Sequence, residues 1–186
     1  MMTELSDLVR PDVQSIAGYV KKRYPYDILS LRLGQIDTGL VRQIIDSGFR
    51  ETGDILVNNY FTGKENAQFF MIDTKGVAVL IGDYLDILAV AEEYHHNGVG
   101  PALLGRVIEE THGRFYLRSR PDRLVNRTYE RFAEPMLFTS KDGIDYNGYL
   151  SGYALSETAQ RIKLMQEKPS NFNPRTARNP KHLLTT

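Results

Sequence analysis

The 186-residue sequence contains no cysteine, which excludes disulfides, thiolate zinc sites and a cysteine nucleophile. Any catalysis has to use other groups. No charge dominates: Lys plus Arg and Asp plus Glu each number 23, so overall charge gives no case for nucleic acid or an anionic membrane as partner. A polyanion would have to be bound locally. Long apolar runs are also missing. The start, MMTELSDLVR, carries acids early and lacks the apolar centre of a signal peptide, and no run elsewhere is long enough to cross a bilayer. A cytoplasmic protein is expected. The four histidines, His95, His96, His112 and His182, lack the spacing and carboxylate companions of a metal site. No metal is expected, and no internal repeat is visible.

What is present suits one soluble domain. Hydrophobic residues make up 41%, enough for a core, and the length leaves no room for a second conventional one. Pro11 fits the first turn of a helix in which Val13, Ile16, Ala17 and Val20 recur at three- and four-residue spacing. Asp37 is placed to cap a second, with Leu40, Val41, Ile44, Ile45 and Phe49 on its buried face. Residues 53–63 read as a connection. AQFFMID and VAVLI then read as strands joined by TKG, whose glycine suits a tight hairpin turn, and YLDILAV as a third neighbouring strand. Further on, Leu104, Val107 and Ile108 mark a helix packed on one face; RFYLRSR reads as a strand, NRTYERFA as a short helix, and MLFT and IDYNGYL as strands joined across SKDG. Leu155, Ala159, Ile162 and Met165 mark a last helix. The order predicts a mixed α/β sheet whose later half carries the site. The final EKPSNFNPRTARNPKHLLTT, with three prolines, four basic residues and one acid, is not expected to fold alone.

The stretch LAVAEEYHHNGVGPALL, residues 88–104, hands a strand to a helix through a glycine turn. Such a turn presents backbone N–H groups at the positive end of the helix dipole, a seat for an anion. Glycine lets a phosphate approach the main chain and allows positive φ. A Walker loop would need Gly-Lys-Ser/Thr and a dinucleotide fingerprint a glycine three residues after Gly100; neither is present. On spacing alone, Gly98 and Gly100 are also readable as ordinary turn glycines.

In context, His95-His96-Asn97-Gly98-Val99-Gly100 after a strand resembles the Gln/Arg-x-x-Gly-x-Gly/Ala pyrophosphate motif of the Gcn5-related N-acetyltransferase superfamily, with His95 in place of Gln or Arg. A longer resemblance runs through YLDILAVAEEYHHNGVGPALLGRVI, FYLRSRPDRLVNRTY and DGIDYNGYLSGY. In that order these are similar to the acetyltransferase domain of the N-acetylglutamate synthase type, strongly over residues 84–153 and weakly from 28. The resemblance implies a largely antiparallel mixed sheet flanked by helices, one acetyltransferase domain over 1–153, and a C-terminal helix with a basic, proline-containing tail over 154–186. It implies acetyl-coenzyme A as co-substrate, held by the backbone of Leu88, Ala89 and Val90 along its pantetheine arm and by His95, His96, Asn97, Gly98, Val99 and Gly100 at its phosphates. Asn126 is expected to cap the short helix and Tyr129 to lie on the same side three residues on. The resemblance makes Asn126 a coenzyme contact and Tyr129 the group that protonates the departing thiolate.

Strand alternation puts Arg118 and Arg120 on one face, with Arg114 in phase. Two guanidinium forks suit a carboxylate; a solvated face, or ion pairs to neighbours such as Asp86, is the alternative. The resembled family uses this strand for its amino-acid acceptor, and glutamate is the first acceptor implied, its product feeding arginine synthesis. Ile87, where that family has lysine, and Arg123, where it has asparagine, depart from the glutamate pattern. The base for the acceptor amine stays open among Asp86, Glu92 or Glu93 through water, and solvent. Another small amine, a protein amino group, or a silent acyl-coenzyme-binding module are the other readings, and the segment after 154 leaves room for a homodimer.

Overall fold

The computed structural model describes residues 12–49, 60–123 and 125–168. Pro11, much of the connection before residue 60 and the tail from 169, His182 included, lie outside the described residues. Helix α1, Val13–Arg23, starts at Asp12, whose carboxylate accepts the Gln14 N–H. Helix α2, Thr38–Gly48, starts at Asp37 as expected, the carboxylate accepting from the N–H groups of Gly39 and Leu40 at 2.9 and 3.1 Å. Val41, Ile44 and Ile45 are its buried stripe, with Leu40 and Phe49 at the margin.

Seven strands form one sheet in the order β1-β2-β3-β4-β5-β7-β6. They are β1 Leu29–Arg32, β2 Gln68–Ile72, β3 Gly76–Ile81, β4 Tyr84–Val90, β5 Phe115–Ser119, β6 Met136–Thr139 and β7 Asp145–Ser151. Every pairing is antiparallel except β4 with β5. Strand β1 was not anticipated: LSLR is short, lies at the sheet edge and is largely exposed, so it has no apolar alternation to read. In the β2–β3 turn, positive φ falls on Asp73, whereas Gly76 sits in the ladder opposite Ile72. A Cβ on Gly76 would stand 2.6 Å from Val99 Cγ1. That glycine therefore admits a helix against the sheet, rather than shaping the turn.

The helix it admits is α3, Val99–Glu110, and the expectation that it packs on one face is wrong. Val99, Ala102, Leu103, Leu104, Gly105, Val107 and Ile108 are all buried, because α1 covers the side turned away from β2, β3 and β4. Both helices share one sheet face with α4, Asn126–Tyr129. Helix α2 covers the first half of the opposite face, and α5, Leu155–Glu167, the second half. On α5 Met165 is fully buried, but Leu155, expected on that stripe, is 90% exposed. No helix among the described residues is long and apolar enough to cross a membrane.

Candidate active site

The parallel strands β4 and β5 pair only at Tyr84 and Tyr116, with the Tyr116 N–H donating to Asp83 O at 3.0 Å. Beyond that point they part. The cause lies on the other edge of β4, where Leu80 faces Leu85 but Val79 faces Ile87. Asp86 is thus an extra residue, a β-bulge, and a bulge bends and twists its strand. Past it the alternation of an antiparallel ladder decides which groups face the gap. The Ala91 N–H donates to Lys75 O, so Ala89 exchanges its bonds with Val77, while Leu88 and Val90 turn their N–H and C=O groups toward the β5 side. Of the three residues expected to cradle pantetheine, Leu88 and Val90 turn main-chain groups into the gap, and Ala89 belongs to the ladder.

At the mouth of this cleft α3 begins. Gly98 is its N-cap at φ 80°, and no side chain caps it. Since the Ala102 N–H already bonds Gly98 O and Pro101 has no N–H, Val99 and Gly100 carry the open first-turn donors, at the positive end of a 12-residue helix. His96, at φ 66°, and Asn97 are exposed beside them. His95 does something else: its Nε2 lies 2.9 Å from Val90 O, tying the loop to the end of β4. Tyr26 OH donates to Asn97 O at 2.8 Å, a brace from outside the motif.

The two glycines have different reasons to be there. A Cβ on Gly98 would lie 2.1 Å from Tyr24 Cδ1, at a positive φ, whereas one on Gly100 would meet nothing nearer than Val90 Cγ2 at 3.7 Å. Gly98→Ala is expected to cost about 2 kcal/mol or more, from the left-handed backbone and overpacking. Gly100→Ala is expected to leave stability within about 1 kcal/mol. Denaturant midpoints of both variants check this, and equal losses would contradict it.

Asn126 does not cap α4. It is the first helical residue, and its Nδ2 donates to the carbonyls of Arg120 and Pro121 at 2.8 and 3.2 Å, holding the loop that follows β5. Its Oδ1 is buried with no hydrogen-bond partner. Tyr129, one turn on, is 5% exposed and packs against Tyr149, ring centroids 5.3 Å apart. Burial, then the neighbouring Tyr149, pushes its phenol well above the ordinary tyrosine range, against Arg123 pulling down.

The opposite sheet face holds what the sequence reading placed differently. Arg118 does not project into the cleft: it donates to Met165 O and Lys168 O at 2.8 and 2.7 Å and lies over the Tyr146 ring, capping the C-terminus of α5. Arg114 bonds Glu157 at 2.6 Å. Arg120, past the end of β5, reaches Asp122 at 3.3 Å. The expected pair is therefore not brought together, because the strand ends at Ser119. The Asp86 side chain is wholly buried between two lysines, Lys64 Nζ at 2.5 Å and Lys168 Nζ at 3.4 Å, and accepts from Tyr60 OH at 3.0 Å. Burial pushes its carboxyl up, but Lys168, Lys64 and the hydrogen bonds outweigh that and hold it below the usual range. Lys168 is also lowered: burial and the nearby Lys64 and Arg118 outweigh the pull of Asp86. The two directions agree once one carboxylate is seen to serve two ammonium groups.

Of the two departures from the resembled pattern, Ile87 packs in the α2 core, and Arg123 stacks 4.6 Å above Phe49. That stack joins the loop after β5 to the end of α2 across the cleft. Gly48, beside it, approaches β4 so closely that a Cβ would stand 2.6 Å from Val90 O. Tyr60, Lys64, Lys168 and Gly48 were all missed by sequence reasoning. The one local signal was Asp86 itself, a lone acid inside an apolar strand.

An acyl-coenzyme A fits this arrangement on three counts: the edge of β4 at Leu88 and Val90, which pairs with no described strand and where His95 takes Val90 O, the uncapped start of α3, and the orphaned acceptor of Asn126. Among the described residues no group of three or more histidines and acids could hold a metal ion.

No family model matches the sequence, and no curated protein matches it. Solved structures do. The chain is similar to a structure described as histone acetyltransferase HPA2 and related acetyltransferase, from Corynebacterium glutamicum, at 16% identity over 69% of this chain and 98% of that one, TM-score 0.52. It is similar to PH1933 from Pyrococcus horikoshii at 12% identity over 68% and 100% of the two chains, TM-score 0.51. PaiA N-acetyltransferase from Thermoplasma acidophilum, solved in complex with coenzyme A, matches at 11% identity over 67% and 99%, TM-score 0.43. The first two establish the fold: a mixed, mostly antiparallel sheet flanked by helices.

Proposed function

We propose that this chain is an acetyl-coenzyme A-dependent N-acetyltransferase acting on the amine of an amino acid, glutamate first, by direct attack in a ternary complex. The observation that carries the reading is the parting of β4 from β5 at the Asp86 bulge beside the uncapped start of α3. A thioester supplies the activated acetyl group and a thiolate leaving group. The chain supplies the rest. Val99 and Gly100 N–H groups meet the diphosphate, and the Leu88 and Val90 main chain holds the extended arm as a further strand would. The Val90 N–H is the donor nearest the expected thioester oxygen, where developing negative charge is best stabilised. Tyr129, kept protonated by burial, donates to the leaving sulfur.

Asp86 makes a poor base, since its carboxyl is held low. Glu92 and Glu93, exposed beside the loop, act through water in this reading, or solvent takes the proton. Because Arg118 is engaged with α5, a second reading has another small amine or a protein amino group as acceptor. A thiol-release assay across free amino acids, carboxylate-free amines and a peptide N-terminus tests both. Turnover of amino acids, glutamate foremost, is expected. Turnover indifferent to a carboxylate would favour the second reading, and coenzyme binding with no turnover on any amine would overturn both.

A further inference from the structure

The face of the sheet covered by α5 carries a recess of about 330 Å³, bounded by Ile81, Tyr84, Tyr116, Leu164, Glu167 and Lys168. Three of its features have no part in the chemistry above. Its cation, Lys168, lies 4.2 Å from the centroid of the Tyr84 ring and shares Asp86 with Lys64. Two ammonium groups on one carboxylate leave positive charge unbalanced, and Lys168 is the one that borders the cavity. Glu167, at the rim, leans toward Lys163 at 3.8 Å. Leu164 is 41% exposed, and with Ile81, Tyr84 and Tyr116 it makes the walls apolar. An excess cation at one end of an apolar recess suits an anion with an apolar body.

The recess shares β4 with the cleft: Tyr84, where β4 still pairs with β5, lines the one, and Leu88 edges the other. Asp86 precedes Leu88 by two residues, about 7 Å of strand. To present an amine at the cleft, a molecule with its carboxylate at Lys168 needs about that separation between the two groups, longer than the distance from an α-amino acid's own carboxylate to its amine. We infer that this recess is a carboxylate subsite for the acceptor: it takes one carboxylate of an amine-bearing acceptor together with the apolar stem that joins carboxylate to amine, Lys168 meeting the carboxylate and Tyr84, Tyr116 and Leu164 enclosing the stem. The ligand's role as acceptor rests on the acetyltransferase reading; the subsite itself does not.

The test is equilibrium binding to the full chain, without coenzyme, using 3-phenylpropionate as the probe and phenethylamine as the carboxylate-free control, followed by calorimetry. Saturable binding of the first and not the second is expected. Lys168→Gln should weaken it about tenfold or more, the loss of a charge-assisted contact, and Lys168→Arg should largely retain it. Leu164→Trp, at a partly exposed position that does not enter the Asp86 cluster, should abolish binding by filling the recess while leaving the melting temperature near that of the parent. No saturable binding by the parent chain, equal binding of both probes, or full binding by a folded Lys168→Gln or Leu164→Trp variant would overturn the subsite. Since no arm needs turnover, a failure of acetyl transfer leaves this result readable, and thiol release that persists when binding fails overturns the subsite alone.

Discussion

Phenylalanine in place of Tyr129 is expected to slow acetyl transfer by about a hundredfold to ten-thousandfold, the usual contribution of a positioned general acid, with coenzyme affinity kept. The substitution removes one oxygen and little else. The ring packs against Tyr149 and lies within the core cluster under α3 and β5, and phenylalanine keeps that packing. Burial raises the phenol well above its ordinary value near 10, so the proton to be donated is in place throughout the neutral and moderately alkaline range. The rate should therefore show no alkaline fall from this group below about pH 10. Turnover measured beside calorimetric coenzyme affinity is the check. Unchanged turnover with unchanged affinity would remove Tyr129 from the mechanism.

Asp86→Asn is expected to cost about 3–5 kcal/mol of stability, the penalty for breaking a buried ion pair from one side. The asparagine keeps the shape of the bulge residue, so the loss is electrostatic: Lys64, with its side chain 11% exposed, loses the carboxylate it pairs with among the described residues and keeps the Tyr60 ring 4.7 Å away. The pH dependence follows from the sign of the shift. The folded carboxyl lies below the usual value, so its stabilisation is complete above the unfolded carboxyl pKa, near 4, and is lost as pH falls through the lower folded value. The parent should lose stability down that acid range and the variant should lose less. Denaturant midpoints at neutral and acid pH measure both, and a cost below about 1 kcal/mol at neutrality would mean that the cluster behaves as a surface pair.

Local chemistry was what the sequence made legible. Asp37 announced α2 because an N-cap acts within three residues, and the apolar runs of β2, β3 and β4 announced themselves by composition. The glycine turn was visible because Gly98 has a conformational reason to be glycine that depends on its own φ. Asn126 was misread as a cap because the helix starts one residue earlier than its side chain suggested, and that side chain serves the loop behind it. What stayed hidden was what the fold brings from a distance. Nothing in YLDILAV marks Asp86 as an extra residue, since a bulge is a property of two strands in register. Nothing in RFYLRSR reveals that Arg118 will meet the end of a helix nearly fifty residues later. Lys64 and Lys168 reach Asp86 from opposite halves of the chain, and only the docking of α5 on β5 and β7 puts them on one carboxylate.

The most direct measurement is a titration of isotope-labelled protein with acetyl-coenzyme A, followed through its backbone amide resonances. The expected result is saturable shifts at Leu88, Val90, Gly98, Val99 and Gly100, with smaller changes at Ala89, whose amide is spent on β3. Saturation with no perturbation of those amides, or no saturable response at all, would contradict a diphosphate seat at the start of α3 and a coenzyme arm along the free edge of β4.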